Sequence, residues 1–246
     1  MDTIFYKIFE TMPRLGPGST DATLEALSHT AYPHENAMVL DLGCGTGVQT
    51  MVLAQKITGT ILALDNYQPF LDQIAVKASD NRLQARVKPV LRDMHDFCFQ
   101  QESFDLIWSE GAIYIIGFAS GLVKARGLLK EGGFAMFSDM NWFLPDPVEE
   151  LVEFFRTECP EMMSVEANVE LIAKSGFELV HKLRLPDIDF WQPYYAPLEK
   201  RLELFREQYR TDSNVLGLVA TIQHEIDLYR KYSAYYGYTY YVMKKS

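Results

Sequence analysis

The chain has 246 residues, 48% of them hydrophobic, and carries 33 acidic against 23 basic residues for a formal net charge of −10. That length and apolar content suffice for one sizeable core, while the acidic balance lacks the phosphate-tracking basic surface that a nucleic-acid partner requires. No apolar run approaches a membrane span, and Asp2 stands where a basic leader would precede an apolar one, which predicts a cytoplasmic chain with no membrane partner.

Residues 3–12 place Ile4, Phe5, Ile8, Phe9 and Met12 at helical spacing. A turn of glycine and proline runs from Leu15 to Ser19, and Ser19 or Thr20 suits the cap of a following helix. Met38 to Leu42 then reads as a buried parallel strand containing Asp41, with Gly43, Gly45 and Gly47 directly after it and a helical pattern from Val48 onward. Glycines there let the backbone turn sharply and approach a ligand, and the helix points its free N–H groups at the same spot. A dinucleotide fingerprint, G-x-G-x-x-G, would need its third glycine where Val48 stands, and Asp41 opposes a pyrophosphate. A ligand with an amino group and a sulfonium but no phosphate suits the acid, and S-adenosylmethionine (SAM) is such a ligand.

A second apolar strand ends at Asp65, about twenty residues beyond the glycine loop, where an acid accepts from both ribose hydroxyls in SAM and NAD sites alike. Asp93 follows a third strand over residues 85–91. Each acid alone also reads as a cap or loop residue; the set of three lines one edge of a parallel sheet. A fourth strand, 104–109, runs into Glu110 and Gly111, and a fifth, 134–138, follows Gly132 and Gly133. Two helical patterns come next, one started by Pro147 and one stopped by Gly176, before a sixth strand at 177–185. Residues 187–235 form an insertion. It opens on Phe190, Trp191, Gln192, Pro193, Tyr194 and Tyr195, aperiodic and read as a loop that roofs a substrate pocket. Two amphipathic helices follow, marked by Leu198, Leu202, Phe205 and Tyr209, then by Val215, Leu218, Val219, Ile222, Ile226 and Tyr229. Tyrosines alternating with smaller residues over 237–243 make a closing strand.

Residues 39–47 resemble the first motif of class I SAM-dependent methyltransferases. Asp65 with Asn66 and Tyr67 is similar to the second motif, Asp93 with Met94 to the third, residues 104–111 to the fourth, and residues 128–134 to the helix–turn–strand motif after it. Three further segments resemble a narrower group of uncharacterised small-molecule methyltransferases: Leu15 to Ser19 with Thr23, Ser109 to Tyr114, and Tyr235 to Tyr238. The resemblance implies an α/β fold with a Rossmann-like, doubly wound sheet of seven strands, mostly parallel with an antiparallel last strand, plus helical lid elements. It implies one methyltransferase domain over 1–246, with an N-terminal helical cap at 1–36, a SAM-binding core at 37–138 and the insertion at 187–235 as a substrate lid. SAM is then the cofactor and S-adenosylhomocysteine (SAH) the product, held by Asp41, Gly43, Cys44, Gly45, Asp65, Asn66, Asp93, Met94 and Ser109.

Methyl transfer is an in-line displacement at a carbon already activated by its sulfonium, so the protein mainly aligns the nucleophile and excludes water. A general base is needed only for an acceptor protonated at working pH. Glu110, just past the fourth strand, is the candidate; it equally suits the SAM ammonium or a cap on the adjoining turn. Tyr114, Trp142 and Trp191 are candidate acceptor contacts, and each also reads as core. The three cysteines, Cys44, Cys98 and Cys159, are far apart and point to reduced thiols, with Cys44 in the glycine loop serving by small size. The five histidines form no ligand-spaced pair, His29 and His34 flanking Pro33 in a loop, so no metal is expected. The acceptor is read as a small molecule, its reacting atom open among N, O, S and C. A non-catalytic SAM-binding protein and an NAD-dependent oxidoreductase are the alternatives. The N-terminal segment through Ser19 and the aromatic loop around Trp191 are expected to meet over the transferable methyl group.

Overall fold

The computed structural model describes residues 2–31 and 35–246, so His34 and Pro33 lie outside the described residues. The glycine-bounded apolar runs form strands and the 3.6-period segments between them form helices. In chain order these are α1 (Asp2–Phe9), α2 (Thr20–Ser28), β1 (Met38–Leu42), α3 (Val48–Lys56), β2 (Thr60–Asp65), α4 (Gln68–Asp80), β3 (Val87–Leu91) and β4 (Phe104–Ser109). A 3₁₀ turn (Ile113–Ile116) leads to α5 (Phe118–Leu128), β5 (Leu129–Trp142), α6 (Glu149–Glu158), β6 (Met163–Ser164), α7 (Val165–Lys174) and β7 (Phe177–Arg184). The insertion comprises α8 (Ile188–Phe190), a π-helical turn (Trp191–Tyr195), α9 (Ala196–Gln208) and α10 (Ser213–Tyr232), and β8 (Tyr236–Lys245) closes the chain.

The strands form one sheet in the order β3-β2-β1-β4-β5-β8-β7. β8 runs antiparallel to both β5 and β7, and the other pairs along this path are parallel. The seven expected strands and the antiparallel last one are therefore present. The sheet gains an eighth, the two-residue β6, because β5 continues past the expected 134–138 to Trp142 and offers Asn141 and Trp142 as a parallel edge.

Side chains alternate across the sheet as the period of two demands. Val39, Leu106, Trp108, Met136 and Tyr240 face one apolar cluster, covered by α2, α3, α4 and the insertion helices. Leu40, Leu42, Ile107, Phe137 and Tyr241 face the other, covered by α5 and α7. All six residues of β4 are buried, and each fully buried leucine such as Leu40 or Leu106 contributes roughly 1.5–3 kcal/mol.

The order of strands reverses at β1, which lies between β2 and β4. Beyond the carboxyl ends of these strands, the connections on either side diverge and leave a crevice. Register brings the ends level: Leu42 pairs with Leu64, and Asp65 with Leu91. Gly43, Asn66, Asp93 and Glu110 consequently emerge along one edge of the sheet.

The aromatic stretch read as a loop is instead helical. Asp187, Phe190, Trp191, Tyr195 and Ala196 all hold right-handed helical backbone angles, running the chain continuously into α9. Phe190 stacks on Tyr229 of α10 at 4.2 Å, and Phe190, Tyr194 and Tyr195 are buried. The wider π turn spoils the 3.6 period, which hides this helix from a periodicity reading.

Candidate active site

The glycine loop after β1 turns through three left-handed residues, Gly43, Gly45 and Gly47, at φ +68°, +53° and +78°. A side chain at Gly43 would collide with Ala112 Cβ at 2.3 Å, and one at Gly45 with Leu15 Cδ1 at 2.6 Å. The loop is anchored to β2 by the Gly43 and Cys44 amides, which donate to the Leu64 carbonyl at 2.9 and 3.0 Å. Asp65 finishes the anchoring: its carboxylate accepts from the Gly45 amide at 2.9 Å and the Tyr67 amide at 3.0 Å. Burial raises the Asp65 pKa, and those backbone donors oppose the rise.

These residues wall a cavity of about 260 Å³, which Gly43, Cys44, Gly45, Asp65, Asn66, Asp93 and Met94 line together. Asp93 is exposed and held low by the His95 amide and ring, at 2.7 and 2.9 Å. Thr46 also lines the cavity, and its Oγ1 is buried without a hydrogen-bond partner. An orphaned hydroxyl, two acids and a loop with no room for side chains suit a ligand rich in hydroxyl and amino groups; the acids oppose a pyrophosphate.

Two expected ligand contacts lie one layer deeper, outside the cavity lining. Asp41 is fully buried beneath the loop, where it accepts from Thr50 Oγ1 at 2.5 Å and Gln49 Nε2 at 3.4 Å. Burial pushes its pKa up to about 7. Ser109 Oγ donates to the Leu42 carbonyl at 2.9 Å and ties β4 to β1. Both therefore brace the loop. The Cys44 thiol is buried and its pKa pushed well up, which removes it as a nucleophile.

The roof comes from the N-terminus: Phe5, Tyr6, Arg14, Leu15, Gly16 and Pro17 line the cavity from above. Tyr6 stacks on Tyr67 with ring centroids 4.1 Å apart and donates to Asn66 Oδ1 at 3.1 Å. The segment also rests on the insertion. Arg201 donates to the Ile8 and Lys7 carbonyls, while the Gly18 amide and the Ser19 hydroxyl donate to Asp189 at 2.9 and 2.8 Å.

Glu110 sits at the junction of roof and floor. Its Oε1 accepts from Thr23 Oγ1 and from Trp108 Nε1, each at 2.8 Å, and its Oε2 accepts from Tyr240 at 2.9 Å and from Arg14 Nη2. Two donors on each oxygen fill the lone pairs that a general base needs free. Arg14, Trp108 and Tyr240 were absent from the sequence-based site. The signals for them are the position of Arg14 directly before the Leu15 to Ser19 motif, of Trp108 inside the 104–111 motif and of Tyr240 in the tyrosine-rich closing strand.

The three aromatic candidates lie elsewhere. Tyr114 lines a second cavity of about 430 Å³ with Asp139, Cys159 and Glu161, and only Ile115 and its own turn connect it to the first. Trp142 packs edge-on against Phe155 and Tyr236. Trp191 packs against Tyr195 and Tyr229, with the Arg230 guanidinium 5.0 Å over its ring. Neither tryptophan lines either cavity, so the aromatic stretch meets the roof through Asp189 and not through Trp191. Away from both cavities, Glu25, His29 and His181 bring ligand atoms within 4.8 Å of one another. The two imidazoles stack at 3.7 Å and 11°, so their in-plane lone pairs run in nearly parallel planes and do not converge on one ion.

Residues 39–133 match the family model described as a methyltransferase domain. The chain is 26% identical over 182 residues to a sterol 24-C-methyltransferase of Kluyveromyces lactis, covering 70% of this chain and 48% of that protein. It thus spans about half the length of the curated relatives it matches. A SAM-dependent methyltransferase from Geobacter sulfurreducens, solved in complex with SAH, superposes with a TM-score of 0.85 at 18% identity, covering 100% of this chain and 99% of that one. The [4+2]-cyclase SpnF superposes with a TM-score of 0.78 at 17% identity, covering 99% of this chain and 92% of that one. The two solved structures share the fold of this chain.

Proposed function

We propose, for a chain that belongs to the class I SAM-dependent methyltransferases, that it moves the methyl group of SAM to a small-molecule acceptor and releases SAH. The observation that carries this reading is the single roofed cavity gathering the glycine loop, Asp65, Asn66, Asp93 and Met94 at the sheet's switch point. Bound there, SAM supplies an electrophilic methyl carbon with a neutral thioether as leaving group. Asp65 accepts from the ribose hydroxyls, Asp93 and Met94 hold the base, and the glycine loop carries the methionyl end. Leu15, Pro17, Ala112 and Ile115 give the acceptor side an apolar wall and keep water out. Glu110, its lone pairs occupied, acts as a positioning residue, and the acceptor supplies its own electron pair. The chain works as one unit of cap (1–36), core (37–138) and insertion (187–235). Among the described residues no helix is long and apolar enough to cross a membrane, and the net charge of −10 speaks against a nucleic-acid partner.

Calorimetric titration with SAH and with NADH tests the cofactor. SAH is expected to bind, and Asp65→Ala to weaken it by roughly 1–3 kcal/mol through lost charged hydrogen bonds. Binding of NADH in place of SAH, or unchanged SAH affinity in folded Asp65→Ala, overturns the reading. Detection of SAH formed from SAM with thiols, amines, phenols or carboxylic acids identifies the acceptor class and separates transfer from silent binding.

A further inference from the structure

The cofactor cavity is electrically lopsided. Asp65, Asp93 and Glu110 reach its wall, and among the described residues lining it Arg14 is the single lysine or arginine. A methionyl group brings a carboxylate along with its ammonium, and a carboxylate lodged among fixed acids needs a cation of its own.

Arg14 is built for that task. Its side chain is 7% exposed and is paired with Glu110, itself 1% exposed. That pairing engages Nη2 and leaves further donors of the five-donor guanidinium fork for a second oxyanion. The turn above it is shaped around the same group. Gly18 stands at φ +137°, and a Cβ there would come within 2.6 Å of Arg14 Nη2 and 2.5 Å of the Tyr240 hydroxyl. Glu110, already accepting from Thr23, Trp108 and Tyr240, holds the guanidinium without capacity to bind the ligand ammonium instead. At the loop below, the buried Thr46 hydroxyl, without a hydrogen-bond partner, adds a polar group to the same wall.

Resting on the reading of this cavity as a SAM site, we propose that Arg14 binds the methionyl carboxylate of SAM and SAH, with Glu110 as the positioning residue that aims it. The residue 14–18 turn thereby closes fully only over a ligand that carries an amino-acid end. The roof then doubles as a selectivity device: a nucleoside thioether without that end enters the same cavity but does not hold the roof down.

Titration of SAH against 5′-methylthioadenosine, which shares the nucleoside and lacks the amino-acid portion, reads this directly. Wild type is expected to prefer SAH, and Arg14→Gln to lose about tenfold or more of that preference, with 5′-methylthioadenosine affinity nearly unchanged. Because Arg14→Gln strands Glu110, the double variant Arg14→Gln/Glu110→Gln, which leaves no orphaned charge, is measured beside it and should show the same loss. Arg14→Lys should recover part of the preference. Preference for SAH surviving in both Gln variants overturns the role of Arg14 alone, as does an equal weakening of both ligands, which marks a structural residue. Wild type binding neither ligand overturns the cofactor reading itself and this inference with it.

Discussion

Glu110→Gln separates a carboxylate that holds the roof from one that moves a proton. The substitution keeps size and shape and removes one acceptor oxygen together with the charge. If the new amide oxygen faces Thr23 and Trp108, its N–H groups face Arg14 and Tyr240. The Tyr240 hydroxyl can turn to accept, but the guanidinium has no acceptor to offer. In the opposite orientation the N–H groups face the Trp108 indole, another pure donor. Both choices leave a buried donor opposed by a donor, and Arg14, 7% exposed, loses its counter-charge. Breaking one side of such a buried pair costs about 3–5 kcal/mol. For a chain of this size that corresponds to a drop in melting temperature on the order of 10 °C. Thermal and denaturant unfolding with parallel SAH titration measures it. Adding Arg14→Met should restore more than half of the lost stability, because the stranded charge leaves with it. A Glu110→Gln protein that melts with wild type while its methyl transfer collapses would refute this reasoning and return Glu110 to the role of base.

Gly45→Ala should cost about 1–2 kcal/mol of stability from the left-handed backbone and push Leu15 off the loop, weakening SAH binding in the same titration. Burial raises the Asp41 pKa to about 7, so the folded state holds a proton there that the unfolded chain has released above the ordinary carboxylate range. Stability from this group is present at low pH, is lost as pH rises from the ordinary carboxylate range through about 7, and changes no further above that; between about pH 4 and 7 the melting temperature should fall less steeply for Asp41→Asn than for wild type. Tyr6→Ala removes the stack on Tyr67 and the bond to Asn66, and should speed SAH release a few-fold while melting stays near wild type, as stopped-flow displacement would record.

What the sequence determined by itself is the floor of the cavity. Strand, glycine turn and helix follow one another within residues 38–56, so backbone freedom at Gly43, Gly45 and Gly47 and the acid ending β2 are local properties that spacing reveals. The alternation of apolar strands with helical segments likewise required an α/β sheet before any contact was known. The roof and the hub were decided by tertiary structure alone. Arg14 and Tyr240 meet Glu110 across 96 and 130 residues, and no periodicity links them. The same holds for the aromatic candidates: Trp142 and Trp191 carry no mark that separates a pocket wall from packing, and their contacts with Tyr236 and Tyr229 set them, partly buried, against the core. Local propensity depends on neighbours within a turn or two of chain, whereas a buried ion pair forms only where the folded sheet brings distant segments into one dry space.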